Sequence, residues 1–119
     1  MSSQCLKPND ISVPDSDDFI STFGCDYSID ADLYQQYFFQ DSEGSKLRLT
    51  LGLVDNSFSL SLWQGEFEVV KIYDEFLLEA SIDASTQNIF IKLKQTDLIQ
   101  KITLSAWPKF ALSIERMKV

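Results

Sequence analysis

The sequence predicts a mainly β (α+β) domain: an antiparallel meander of six to seven strands, built as a curved sheet, a sandwich or an open barrel, with a short N-terminal helix. Three observations predict it. From Lys46 onward apolar and polar residues alternate with a period of two. Turn-forming residues interrupt that alternation every 8 to 12 residues. No stretch between the strands is long enough to carry a parallel crossover helix.

Residues 1 to 14, polar and holding Pro8 and Pro14, read as a loose lead-in, and residues 15 to 119 as a single antiparallel β-rich domain. A short helix follows Pro14. Asp17 and Asp18 suit the positive end of its dipole, and Asp15 or Ser16 serves as N-cap. Phe19, Ile20 and Phe23 are expected on one face, with Gly24 at the left-handed position that ends the helix. Residues 30 to 39 read two ways. Asp30 or Asp32 caps a helix striped by Leu33, Tyr34, Tyr37 and Phe38, or Tyr34 to Gln40 is the first strand of a hairpin. The aromatic content favours the strand, and the turn cluster from Asp41 to Ser45 follows at hairpin distance.

The alternation then runs through Leu47, Leu49, Leu51 and Leu53, turns at Asp55-Asn56, and resumes with Phe58, Leu60 and Leu62. After Gln64-Gly65 come Phe67, Val69, Val70, Ile72 and Tyr73, then Phe76 to Asp83. Ile89, Ile91 and Leu93 form the next strand, Ile102, Leu104 and Ala106 another, and Phe110, Leu112 and Ile114 the last. Such one-sided alternation belongs to antiparallel sheets with one solvated face.

Of 119 residues, 45% are apolar and 13% aromatic, enough for one packed core without a staple. Cys5 and Cys25 read as free thiols of a reducing compartment; the alternative, a bridge, ties the N-terminal arm to the domain. The opening residues hold no signal-peptide core and no apolar run spans a membrane, so the chain reads as cytoplasmic. Its net charge of −8 is unevenly placed. Residues 1 to 45 hold nine acids against Lys7 alone, whereas residues 46 to 119 hold nine acids and nine bases. That block of negative potential repels nucleic acid and anionic lipid and attracts cationic surfaces.

Most familiar chemistries fail on residue type. Without histidine, the usual nucleophile–imidazole arrangements are excluded, and zinc lacks ligands at short spacing. An EF-hand loop starting at Asp15 needs glycine at its sixth position and glutamate at its twelfth, where Ile20 and Asp26 stand. The four glycines are isolated, so no phosphate loop exists. No cofactor, metal site or catalytic residue is assigned. Trp63 and Trp107 flank turns; core-edge packing is the simpler reading and an exposed anchor the functional one.

In size, charge and β content, carried by Asp15 to Asp32 and the strands after Lys46, the chain resembles the small acidic immunity proteins with which bacteria neutralise their own toxins. The resemblance implies a non-catalytic inhibitor that occludes a basic active site on a cognate toxin domain, its carboxylates standing in for substrate phosphates. The residues expected to meet that partner are Asp15, Asp17, Asp18, Asp26, Asp30, Asp32, Tyr34, Tyr37, Asp41 and Glu43. The expected partner is a basic protein, with no nucleic acid or membrane, and the chain itself a monomer or weak homodimer. Two alternatives remain: a β-barrel carrier of an apolar molecule, with a cavity lined by Phe58, Phe67, Phe76 and Phe90, and a structural adaptor that associates through an edge strand.

Overall fold

The computed structural model describes residues 12–95 and 97–118. Most of the lead-in assigned to residues 1 to 14, and Cys5 with it, lies outside the described residues. Helix α1 spans Ser16–Phe23, with Asp15 as N-cap in extended conformation. The Asp15 side chain makes no capping bond; Asp17 and Asp18 in the first turn supply the favourable charge. Gly24 closes the helix at φ 65°, and its N–H donates to the Ile20 carbonyl at 2.8 Å. Phe19 is fully buried and Phe23 half-buried, but Ile20 faces outward. With a 100° step per residue, neighbours 19 and 20 cannot both point at the core.

Nine strands are described, in two antiparallel sheets, against the six to seven expected. Sheet 1 is a meander of β1 (Asp26–Ile29), β2 (Tyr34–Gln40), β3 (Lys46–Gly52), β4 (Ser57–Gln64) and β5 (Phe67–Asp74). Sheet 2 continues with β6 (Leu77–Asp83), β7 (Asn88–Gln95), β8 (Leu98–Ser105) and β9 (Ala111–Lys118). The strand the sequence hid is β1. Its four residues are too few and too polar to show alternation, and pairing with β2 holds it. The helical reading of residues 30 to 39 gives way to β2, whose Tyr37 and Phe39 oppose Leu49 and Leu47 of β3. Buried residues two apart on both strands settle the period.

The core lies between the sheets. Sheet 1 contributes Tyr37, Phe39, Leu47, Leu49, Leu51, Phe58 and Leu60; sheet 2 contributes Leu77, Ala80, Ile89, Ile91, Leu93, Ile102 and Leu104. Helix α1 adds Phe19, stacked on the Tyr37 ring at 4.1 Å. The carrier cavity is not formed by its expected lining. Phe58 is packed in this core, whereas Phe67 and Phe76 are 76% and 64% exposed. Phe90 sits on the outer face of sheet 2 under the Lys101 ammonium. Phe76, at φ 65°, is the corner where the chain leaves sheet 1 for sheet 2.

One buried carboxylate ties the sheets at an end. Asp41 Oδ1 accepts from the Glu43 and Ser45 amides, both at 2.9 Å, and closes the β2–β3 turn. Its Oδ2 accepts from the Phe110 amide at 3.3 Å, and the Ser42 amide donates to the Pro108 carbonyl at 2.9 Å. The β2–β3 turn of sheet 1 is thereby sewn to the β8–β9 loop of sheet 2. Asp41→Ala strips an acceptor from three backbone N–H groups, an expected loss on the order of 2–4 kcal/mol in chemical denaturation. Amide exchange at Phe110 should accelerate with it, and an unchanged unfolding midpoint would contradict this role.

Candidate functional site

The acids crowded together in sequence divide in space. Because sheet 1 is a meander, its turns alternate between two ends. The β1–β2 turn, with Asp30 and Asp32, lies at one end together with the β3–β4 and β5–β6 connections. Asp26, opposite Phe38, and the β2–β3 turn with Asp41 and Glu43 lie at the other. Asp15, Asp17 and Asp18 stand on the first turn of α1.

Seven of the ten expected contact residues are exposed carboxylates: Asp15, Asp17, Asp18, Asp26, Asp30, Asp32 and Glu43. Two are corrected by their burial. Tyr37 is fully buried between the Phe19 and Tyr27 rings, and this desolvation pushes its phenol well above its ordinary range. Asp41 is a buried structural acceptor. Neither side chain offers a contact surface. Glu43 is exposed but carries a salt bridge of 3.5 Å to Lys109, a base from the β8–β9 loop. Asp30 also has local duty: its Oδ1 accepts from the Asp32 and Tyr34 amides at 2.9 and 3.1 Å, shaping a turn in which Leu33 adopts φ 64°.

At the β2–β3 end a groove of about 570 Å³ opens between the sheets. Trp63 of β4 and Trp107 of the β8–β9 loop, 44 positions apart, both line it, together with Phe38, Asp26, Gln40 and Lys46. Trp107 is 53% exposed and is not packed at the core edge, whereas Trp63 is half-buried, with the Arg48 guanidinium 5.4 Å from its ring. The groove mixes charge, since Asp26 and Lys46 share its wall. Cys25 lines it too, but burial pushes its thiol up to about 11, and its Sγ donates to the Phe19 carbonyl at 3.6 Å. A thiol so shifted is a poor nucleophile at neutral pH.

At the opposite end, Ala31, Asp32, Leu33, Tyr34, Val54 and Asp55 enclose a shallow depression. The Tyr34 hydroxyl donates to Asp55 Oδ2 at 2.6 Å, linking the β1–β2 and β3–β4 turns. Gly52 permits this pair: a Cβ there would lie 2.5 Å from the Tyr34 ring and from the Asp55 carboxylate. The bond holds the Asp55 carboxyl below its usual range and the Tyr34 phenol above its own. Sequence reasoning named Tyr34 but missed Asp55, which sits outside the acidic block; Asp55-Asn56 was legible only as a turn.

No group of three or more potential metal ligands occurs among the described residues, and no described helix is long and apolar enough to cross a membrane. No protein-family model matches the chain. An uncharacterized protein of Pasteurella multocida (strain Pm70) is 26% identical over 102 residues, covering 86% of this chain and 94% of that one. In structure the chain is similar to a chain of a contact-dependent growth inhibition toxin–immunity protein complex from Klebsiella pneumoniae 342. The TM-score is 0.80 and the identity 15%, over 90% of this chain and 97% of that chain. At that identity the likeness is one of fold.

Asp55→Asn is expected to bring the Tyr34 phenol back toward its ordinary value of about 10. Deprotonating Tyr34 in the native protein sets two negative oxygens side by side; the amide removes that penalty. Difference absorbance of tyrosinate, with Tyr34→Phe to identify the transition, measures it, and an unmoved transition would refute the coupling.

Proposed function

We propose that this chain is a non-catalytic inhibitor, an immunity protein that neutralises a cognate bacterial toxin in the cytoplasm by occluding the toxin's basic active site. One observation carries the reading. The interior is filled by the two facing sheets, while large apolar side chains and carboxylates are spent on the surface: Phe76, Trp107 and Leu33 stand exposed, as do Asp15, Asp17, Asp18, Asp26 and Asp32. Among the described residues none of these five carboxylates has a salt bridge. Exposed aromatics supply buried area to an interface, and unpaired charge raises the rate at which an oppositely charged partner is met.

The fold likeness to a chain of a toxin–immunity complex supports the same reading. The carrier alternative loses its support with the dispersal of its four phenylalanines. The adaptor alternative is disfavoured by charge on the unpaired edges: β5 carries Glu68 and Lys71, and β9 carries Glu115, Arg116 and Lys118. Charged side chains on an edge strand oppose edge-to-edge pairing.

Occlusion needs no reaction. Carboxylates placed where a toxin binds anionic substrate groups take up the same cationic contacts and block access.

The direct test is growth. Co-expression with the cognate toxin domain, to be sought among the genes adjoining this chain's own, should restore growth that the domain arrests, and the purified pair should elute as one complex. Continued arrest, with no complex at micromolar concentration, would overturn the reading. Within the complex, Asp15→Ser/Asp17→Ser/Asp18→Ser should slow association several-fold at low salt, an effect lost once the Debye length falls to a few ångströms. Ser at position 15 keeps capping ability, so stability should fall by no more than about 1–2 kcal/mol.

A further inference from the structure

We propose that the end of sheet 1 formed by the β1–β2, β3–β4 and β5–β6 turns is the face that docks on a cationic surface of the partner protein, with Leu33, Val54 and Phe76 as its apolar contacts and Asp32, Asp55 and Glu75 as its charged flanks. The inference rests on the inhibitor reading and assigns that reading its contact surface.

The three turns are neighbours. The depression enclosed by Ala31, Leu33, Tyr34, Val54 and Asp55 joins the first two, and the Tyr34–Asp55 bond locks them. The Leu77 amide donates to the Asn56 carbonyl at 2.8 Å and joins the third. Their apolar side chains are turned to solvent: Leu33 is 48% exposed, Val54 56% and Phe76 64%. Leu33 and Phe76 both hold positive φ, a conformation that bulky residues seldom adopt. Neither is driven outward by lack of core space that a polar residue would leave unfilled; asparagine would satisfy both turns with less strain and less exposed apolar surface. Apolar side chains in such positions are explained by an occupant.

Charge complementarity names the occupant's chemistry. Residues 30–33, 53–56 and 74–76 contain Asp30, Asp32, Asp55, Asp74 and Glu75 and no lysine or arginine. Lys94, whose amide donates to the Phe76 carbonyl at 2.9 Å, and the exposed Lys118, opposite Leu98, stand at the sheet 2 margin, where the exposed Asp97 also lies. The other end of the molecule is concave and electrically mixed, with Lys46 and Lys109 beside Asp26 and Glu43. A groove of mixed charge offers no single attraction; exposed apolar side chains flanked by carboxylates suit a protein surface lined by Lys and Arg. A cationic protein surface is therefore the occupant.

The experiment uses the full chain and an active-site-disabled form of that cognate toxin domain. Leu33→Asn/Phe76→Asn keeps residues that tolerate positive φ, so the melting temperature should hold or rise while the complex weakens at least tenfold, chiefly in its dissociation rate. Asp32→Asn/Glu75→Gln should instead slow association several-fold and flatten its salt dependence. Trp107→Ala, in the groove at the far end, should change affinity less than twofold. Undiminished binding by Leu33→Asn/Phe76→Asn, or loss of binding confined to Trp107→Ala, overturns this contact face while leaving the inhibitor reading intact. Failure of the wild-type chain to bind the toxin domain at all overturns both.

Discussion

The register of β3 between β2 and β4 is the constraint from which the rest of the molecule follows. Leu47, Leu49 and Leu51 meet Phe39, Tyr37 and Gln35 on one side and Leu62, Leu60 and Phe58 on the other. A slip of one residue would turn the three leucines to solvent and bring Lys46, Arg48 and Thr50 into the core. Three leucines of roughly 1.5–3 kcal/mol each in burial energy oppose that slip. With the register held, the outer face is held too: Phe38, Arg48 and Ser61 align across it, and Arg48 lies over Trp63. The positions of the turns at the two ends follow from the same pairing.

A meander converts nearness in sequence into alternation in space. Each connection sends the next turn to the opposite end, so carboxylates ten residues apart part company, while turns twenty residues apart become neighbours. Asp30 and Asp41 were close in the acidic block and stand at opposite ends of sheet 1. Tyr34 and Asp55, far apart in the chain, share a hydrogen bond of 2.6 Å. The charge asymmetry of the chain is real, and the two ends of sheet 1 divide it. One end pairs Glu43 with Lys109 and sets Asp26 near Lys46; the other keeps its three turns free of basic residues.

The two exceptions to surface exposure, Tyr37 and Asp41, show how function and stability compete for the same residue types. An aromatic on a strand of alternating burial has equal claim to either face, and parity with Phe39 sends Tyr37 inward, where Phe19 stacks on it. An aspartate at a turn is equally a surface charge or an acceptor for turn amides. Asp41 is the second because Phe110 and Pro108 come to it from the other sheet. Asp30, at the opposite end of sheet 1, shapes its turn in the same manner yet remains exposed, since no element covers it.

What the sequence determined by itself is what depends on near neighbours: the period of two after Lys46, the turns between strands, the helix with its Asp17 and Asp18 start and its Gly24 stop, and the excluded imidazole chemistry. Tertiary structure decided what depends on residues brought together from afar. It paired four weakly patterned residues into β1, placed Trp63 and Trp107 around one groove, and set Leu33, Val54 and Phe76 on adjoining turns. The division has one physical cause. Alternation and capping are satisfied within a few residues of chain. Burial, cross-sheet hydrogen bonds and the gathering of charge require the second sheet and the meander that carries the chain to it.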